Sequence, residues 1–185
     1  MAITTIAMAV AGVTALTFGF MVRDVPAGGE VPVPEQAGID FGLQDATLNI
    51  PGGTHLAMQM PRTWLTSGDE SSITFTQLGE EQYGSLTVRV MPSGNASLES
   101  FAQAALQQEK ARWPDAVFGA PAATTLMGLP ALEFSGEDTT GANYRFIVVA
   151  DAETQMMYII DSRADAADAA MAYDIKVGID SIRKG

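Results

Sequence analysis

The chain has 185 residues, with 22 Asp and Glu against 10 Lys and Arg, giving a net charge of −12 and an isoelectric point near 4.2. Such an acidic balance argues against binding nucleic acid or anionic lipid through a basic patch. The absence of cysteine and a single histidine exclude a disulfide scaffold, thiolate metal sites and a His/Cys zinc centre.

Met1 to Val22 carries no charged side chain. At about 1.5 Å per residue, about 20 such residues span a hydrocarbon core of ~30 Å, so the segment 1–22 is expected to be a transmembrane anchor helix. A cleaved secretory signal is the competing reading. No Lys or Arg precedes the apolar run, and a cut after Ala27 would have Arg23 and Asp24 in its way. Ala7, Ala11, Ala15 and Gly19 recur every fourth residue, the spacing of a small-residue stripe that lets helices pack closely in lipid. They are expected to form a helix-packing interface with another membrane subunit, although an alanine-rich run also makes stripes by chance. Arg23 taken alone favours a cytoplasmic domain under the positive-inside rule.

Residues 23–45 read as an acidic linker rich in Pro and Gly, with Pro26, Pro32 and Pro34 favouring extended geometry and Gly28-Gly29 adding a joint. A single globular domain is expected over 46–185. It opens with two short strands, Ala46–Ile50 and His55–Met60, around Pro51-Gly-Gly. Ser72–Leu78 and Leu86–Met91 alternate in polarity; Leu86, Val88 and Val90 are expected inward, Thr87 and Arg89 outward. Between them Glu80 to Gly84 reads as a hairpin loop.

Ser97 is the expected N-cap of a helix whose apolar stripe is Leu98, Phe101, Ala105, Leu106 and Trp113, stopped by Pro114. Four more strands are expected: Ala122–Met127, Ala131–Ser135, Asn143–Ala150 and Gln155–Ser162. A final helix is expected near Ala164, with Asp165 as cap and Asp168 in its first turn. It would bury Met171, Ile175, Ile179 and Ile182, and end in Arg183 and Lys184. The order predicts an α+β fold, an antiparallel sheet with helices packed on its faces.

Pro61-Arg-Thr-Trp64 after an early strand, Ser97-Leu-Glu-Ser-Phe101 at a helix start and Gly128-Leu-Pro-Ala131 before a strand lie in an arrangement that resembles the PsbP/DcrB-like family. The resemblance covers about residues 46–183. It implies an α/β/α sandwich and a non-enzymatic role, as an accessory subunit of a photosynthetic complex, an envelope lipoprotein or a chaperone-like binding domain. It also places the domain in the periplasm, against Arg23. This chain departs from the family pattern in having an expected helix anchor and no lipobox cysteine.

The residues that could carry chemistry agree with that implication. His55 is the only histidine and reads as a packing or surface residue. A divalent-cation site gathered from Asp161, Asp165, Asp168 and Asp174 is the competing reading, but no Asp-x-Asp-x-Asp-Gly loop is present, and helix capping is the better account. Glu80-Glu81 and Glu137-Asp138 read as solvated loop pairs. No Gly-x-Ser-x-Gly, P-loop or dinucleotide fingerprint occurs. No catalytic, cofactor or metal residue is therefore assigned, and no small-molecule substrate is expected. Among the aromatics, Tyr83 and Trp64 are candidate protein-interface residues, with core placement the alternative for Trp64 and Trp113. The expected function is a non-catalytic accessory or assembly subunit of a bacterial membrane complex, photosynthetic or respiratory. The alternative is an independent membrane-tethered chaperone or ligand-binding module.

Overall fold

Residues 42–50, 55–78, 83–165 and 168–185 are described by the computed structural model, all within a compact unit spanning Ile39–Gly185. The expected anchor with its stripe Ala7, Ala11, Ala15 and Gly19, most of the linker, the Pro51-Gly-Gly turn and Glu80-Glu81 lie outside the described residues. Among those described, no helix is long and apolar enough to cross a membrane.

The chain runs β1 (Leu43–Asn49), β2 (His55–Pro61), β3 (Leu65–Gly68), β4 (Ser72–Leu78), β5 (Tyr83–Pro92), α1 (Leu98–Arg112), β6 (Val117–Phe118) and β7 (Ala122–Leu126). It continues with β8 (Leu129–Glu137), β9 (Asn143–Asp151), β10 (Met156–Ala164), α2 (Ala169–Asp180) and β11 (Arg183–Lys184). An eight-stranded sheet has the order β3-β4-β5-β10-β9-β8-β6, with β7 also paired to β8, and a three-stranded sheet has the order β1-β2-β11. Every pairing is antiparallel. The expected α+β class with helices on a sheet therefore stands, with a second small sheet added.

Period-two alternation divides the large sheet into two faces. Leu86, Val88 and Val90 of β5 point into a core shared with Ile147 and Val149 of β9 and with Tyr158 and Ile160 of β10. That core is closed by Met171, Ile175 and Ile179 of α2 and by Leu56, Met58 and Met60 of β2. On the other face Phe134, Phe146, Val148, Met157 and Ile159 pack against Ala102, Ala105 and Leu106 of α1. Thr87 and Arg89, expected outward, do leave the first core, but Arg89 meets Glu109 of α1 and Thr87 is buried, its hydroxyl 3.1 Å from that of Thr74. Alternation tells which face a side chain takes, not whether that face is dry.

Close approach of α2 depends on glycine. A Cβ on Gly178 would stand 2.8 Å from Leu86 Cδ2 and closer still to Met60 Sδ, and one on Gly84 would meet Met171 Sδ at 2.5 Å. Both glycines let the helix settle between the two sheets, at the entropic cost that glycine carries inside regular structure.

Several boundaries differ from expectation. β1 begins at Leu43, three residues inside the expected linker. β3, Leu-Thr-Ser-Gly, is not among the expected strands, because it is exposed throughout and shows no alternation. β6 and β11 are two residues each, too short to leave a periodic signal. α1 starts as expected, with Ser97 Oγ accepting from Ser100 N–H at 3.2 Å. α2 starts later: Asp168, not Asp165, is its cap and accepts from Met171 N–H at 2.9 Å. Arg183 and Lys184, expected at the end of a helix, instead form β11 on β2, because the helix stops at Ser181.

Candidate functional site

Two of the buried charged side chains, Glu109 and Asp161, meet beneath the C-terminal half of α1. Its buried stripe continues from Leu106 to Glu109, whose side chain is 4 % exposed. Facing it, Arg89 of β5 donates to Glu109 and to Asp161 Oδ2 of β10 at 3.0 Å. Arg112 donates to Asp161 Oδ1 at 3.1 Å and lies 3.8 Å from Glu109 Oε2. Two carboxylates and two guanidiniums thus join α1 to the two central strands. Burial, reinforced by the Glu109 charge, pushes the Asp161 carboxyl up to about 6, against the pull of Arg89 and Arg112. Burial works against the Arg89 cation, but Asp161 and Glu109 more than compensate, and its affinity for the proton rises. One polar atom of this cluster, Arg89 Nε, is buried with no hydrogen-bond partner.

Next to this network an arginine sits among aromatic rings. The Arg163 guanidinium is 5.3 Å from the ring centre of Tyr83 and 5.9 Å from those of Trp113 and Tyr144. Its Nε donates to Tyr144 Oη at 3.1 Å, and one terminal nitrogen donates to the Tyr83 carbonyl at 2.9 Å. Trp113 and Tyr144 are 5.4 Å apart, and Arg112 covers Trp113 at 5.2 Å. Stacked cations of this kind contribute about 0.5–1 kcal/mol each at partly exposed sites. Tyr144 in turn donates to Asp138 Oδ2 at 2.7 Å. Asp138 also accepts from the Thr140 hydroxyl at 2.6 Å and from the Thr140 and Ala142 N–H groups. The Thr140 and Tyr144 hydrogen bonds hold its carboxyl well below the ordinary range. Burial, and then the Asp138 hydrogen bond, raise the Tyr144 phenol. A cleft of about 200 Å3 opens here between Trp113, Asp115, Asp138, Thr140, Tyr144 and Arg163.

Asp151 forms a second buried anchor, at the other end of β9. It accepts from Tyr158 Oη at 2.7 Å and from Lys184 Nζ at 2.8 Å, so β11 is tied to the large sheet. Burial opposes ionisation, but hydrogen bonds from Lys184, Tyr158 and Thr154 outweigh it and hold the carboxyl below its usual range.

The structure places the residues singled out in the sequence as follows. Trp64 is 2 % exposed, with Nε1 donating to Asp174 Oδ2 at 3.0 Å, so its candidacy for an interface is corrected to core: the Pro61–Trp64 turn folds the indole under α2. Tyr83 is half-buried against Arg163, at the start of β5. Asp161, Asp168 and Asp174 serve three separate purposes: ion pairing, capping and holding Trp64. Asp165 lies before the cap, its carbonyl accepting from Asp168 N–H at 3.1 Å. Among the described residues no group of three or more acids, His or Cys is arranged to hold a metal. His55 exchanges backbone hydrogen bonds with Gly185. The Arg89–Glu109–Asp161 network has no spacing signature in the sequence, because Glu109 and Asp161 lie 20 and 72 residues from Arg89. The available signal was an arginine on a strand otherwise destined for the core.

No protein-family model and no curated protein matches the sequence. Solved structures share the fold. LpqN of Mycobacterium tuberculosis, involved in cell envelope biogenesis, superposes with a TM-score of 0.55 at 12% identity over 77% of this chain and 91% of LpqN. Cyanobacterial PsbP (CyanoP) of Synechocystis sp. PCC 6803 gives 0.50 at 15% identity over 86% of this chain and 99% of CyanoP. The Ran-binding protein Mog1p of Saccharomyces cerevisiae gives 0.50 at 9% identity over 77% and 96%. The chain therefore has the fold common to PsbP-like and Mog1-like proteins, and identities this low carry the fold alone.

Proposed function

We propose that this chain is a non-catalytic accessory or assembly subunit of a larger bacterial membrane complex, photosynthetic or respiratory, held by a single transmembrane helix over 1–22. In this reading Ala7, Ala11, Ala15 and Gly19 pack on a partner helix, and the domain stands on the periplasmic side of the cytoplasmic membrane. The observation that carries it is the state of the charged groups beneath and beside α1. Arg89, Arg112, Glu109 and Asp161 engage one another, Tyr144 engages Asp138, and Arg163 is bonded and stacked. General acid–base catalysis needs a positioned group within reach of a substrate proton. Groups committed in this way fasten a helix to a sheet, which fits a structural or binding role better than proton transfer. The fold shared with CyanoP and with the envelope protein LpqN supports the same reading by analogy.

Mild-detergent extraction of native membranes, followed by native gel separation and mass spectrometry, tests it. Co-migration with a pigment-bearing or respiratory complex is the expected result. Migration alone would overturn the subunit reading in favour of a tethered chaperone or ligand-binding module.

A further inference from the structure

The two sheets leave free edges beside one another. In an antiparallel pair, backbone groups alternate between the partner strand and the opposite side. Asp69 N–H donates to the Ser72 carbonyl at 2.9 Å, which fixes the phase of β3: Leu65 and Ser67 bond toward β4, and the N–H and C=O of Thr66 and Gly68 turn outward. Arg62 N–H donates to the Gly42 carbonyl at 3.2 Å and fixes β1 in the same way, so Thr47 and Asn49 turn their backbone groups away from β2. Both outward edges line one groove, formed by adjoining hollows of about 300 and 370 Å3 that share Thr47 and Asp69. The residues of β3 are exposed along its length and Leu65 is 65 % exposed; β1 meets the edge at its start, where Gln44 Nε2 donates to the Trp64 carbonyl at 2.7 Å. A bare edge is a template for another strand, and proteins ordinarily cover or blunt one that has no partner.

The groove also carries charge. Asp69 and Glu70 stand at its rim. Asp69 is partly occupied by the Ser71 and Ser72 hydroxyls, while Glu70 faces the groove in a chain of net charge −12. We propose that this groove is a docking site for an extended, lysine- or arginine-rich segment of a partner protein, which adds as a strand to the free edge of β3 while its cations meet Asp69 and Glu70. The mode is strand addition, with main-chain hydrogen bonds giving affinity and the acidic rim giving selectivity. It deepens the subunit reading by naming a contact surface on the domain, and it rests on that reading for its biological partner.

Fluorescence anisotropy on the full chain in mild detergent tests it, using a short synthetic peptide of alternating valine and lysine. The peptide is expected to bind, with affinity falling as salt rises. Thr66→Pro removes an outward N–H and leaves the β3–β4 bonds in place, so it should weaken binding about tenfold, the worth of one hydrogen bond. Methylating every peptide nitrogen should abolish binding with the protein unaltered, which guards against a variant that misfolds. Failure of the peptide to bind, equal binding of a valine–glutamate peptide, or indifference to both changes would overturn the proposal. So would a dimer of this chain that Thr66→Pro dissolves, since the occupant would then be a second copy. Co-migration of the Thr66→Pro chain with its complex alongside failed peptide binding would remove the groove and leave the subunit reading standing.

Discussion

The two faces of the eight-stranded sheet are covered in different ways. Toward α2 the interior is mostly apolar, and two polar side-chain contacts at its margins are those from Trp64 Nε1 to Asp174 and from Tyr158 Oη to Asp151. Toward α1 an apolar patch around Phe146 and Ile159 gives way to buried Thr87, Glu109 and Asp161 with their arginines. The apolar face is held by area, which is non-directional and tolerates repacking. The ionic face is held by geometry, because each charge is costly to bury unless its partner is in place. The same sheet therefore supports two kinds of sensitivity, and substitutions should separate them.

The largest effect is expected on the apolar side. Trp64→Ala should cost about 3–5 kcal/mol through the cavity it leaves and the Asp174 carboxylate it strands, read as a lower urea midpoint. On the ionic side, Arg89→Met leaves Glu109 and Asp161 to share Arg112 and should cost about 3 kcal/mol. Adding Glu109→Leu and Asp161→Leu to it should recover most of that loss. If the triple variant is no better than the single, the face is held by something other than charge balance.

The pH dependence sharpens the contrast. Asp161 holds its proton up to about 6 when folded, against ~3.9 in an unfolded chain, so the folded state binds more protons between those values. Its contribution to stability therefore falls as pH rises from about 4 to about 6, by on the order of 3 kcal/mol. Asp138 and Asp151 act with the opposite sign: their depressed values add stability above about pH 4 that is lost as pH falls further. Asp161→Asn should remove the downward trend between pH 4 and 6 in thermal melts while leaving the acid limb. The smallest effect is expected outside both faces. Lys176→Ala breaks an exposed ion pair with Asp180 and should change stability by less than about 0.5 kcal/mol.

The apolar face was the legible one. Leu86, Val88 and Val90 in β5 and Met171, Ile175 and Ile179 in α2 announce their side by period alone, and the N-cap at Ser97 is a local signal. What the sequence hides is contact between distant positions. Arg89 reads as a solvent-facing strand residue until α1 is laid over it, and Asp161 reads as one of several acids near a helix start. The groove edge was hidden for another reason: β3 exposes every side chain, so no pattern marks it as a strand, and its free backbone groups have no sequence signature.

The order of the large sheet bears on how the molecule assembles in time. β3, β4 and β5 pair in sequence, and so do β8, β9 and β10, so each trio can zip from its own hairpins. The seam between them, β5 against β10, joins Val90 to Tyr158 and Leu86 to Ser162 across the whole of α1 and the β6–β9 region. Closing such a long loop precedes any reward from the contact, which slows folding relative to local topologies. Arg89 and Asp161 stand on opposite sides of that seam. Their pairing is a contact available only once the halves have met, so its loss should appear in the unfolding rate more than in the rate of folding.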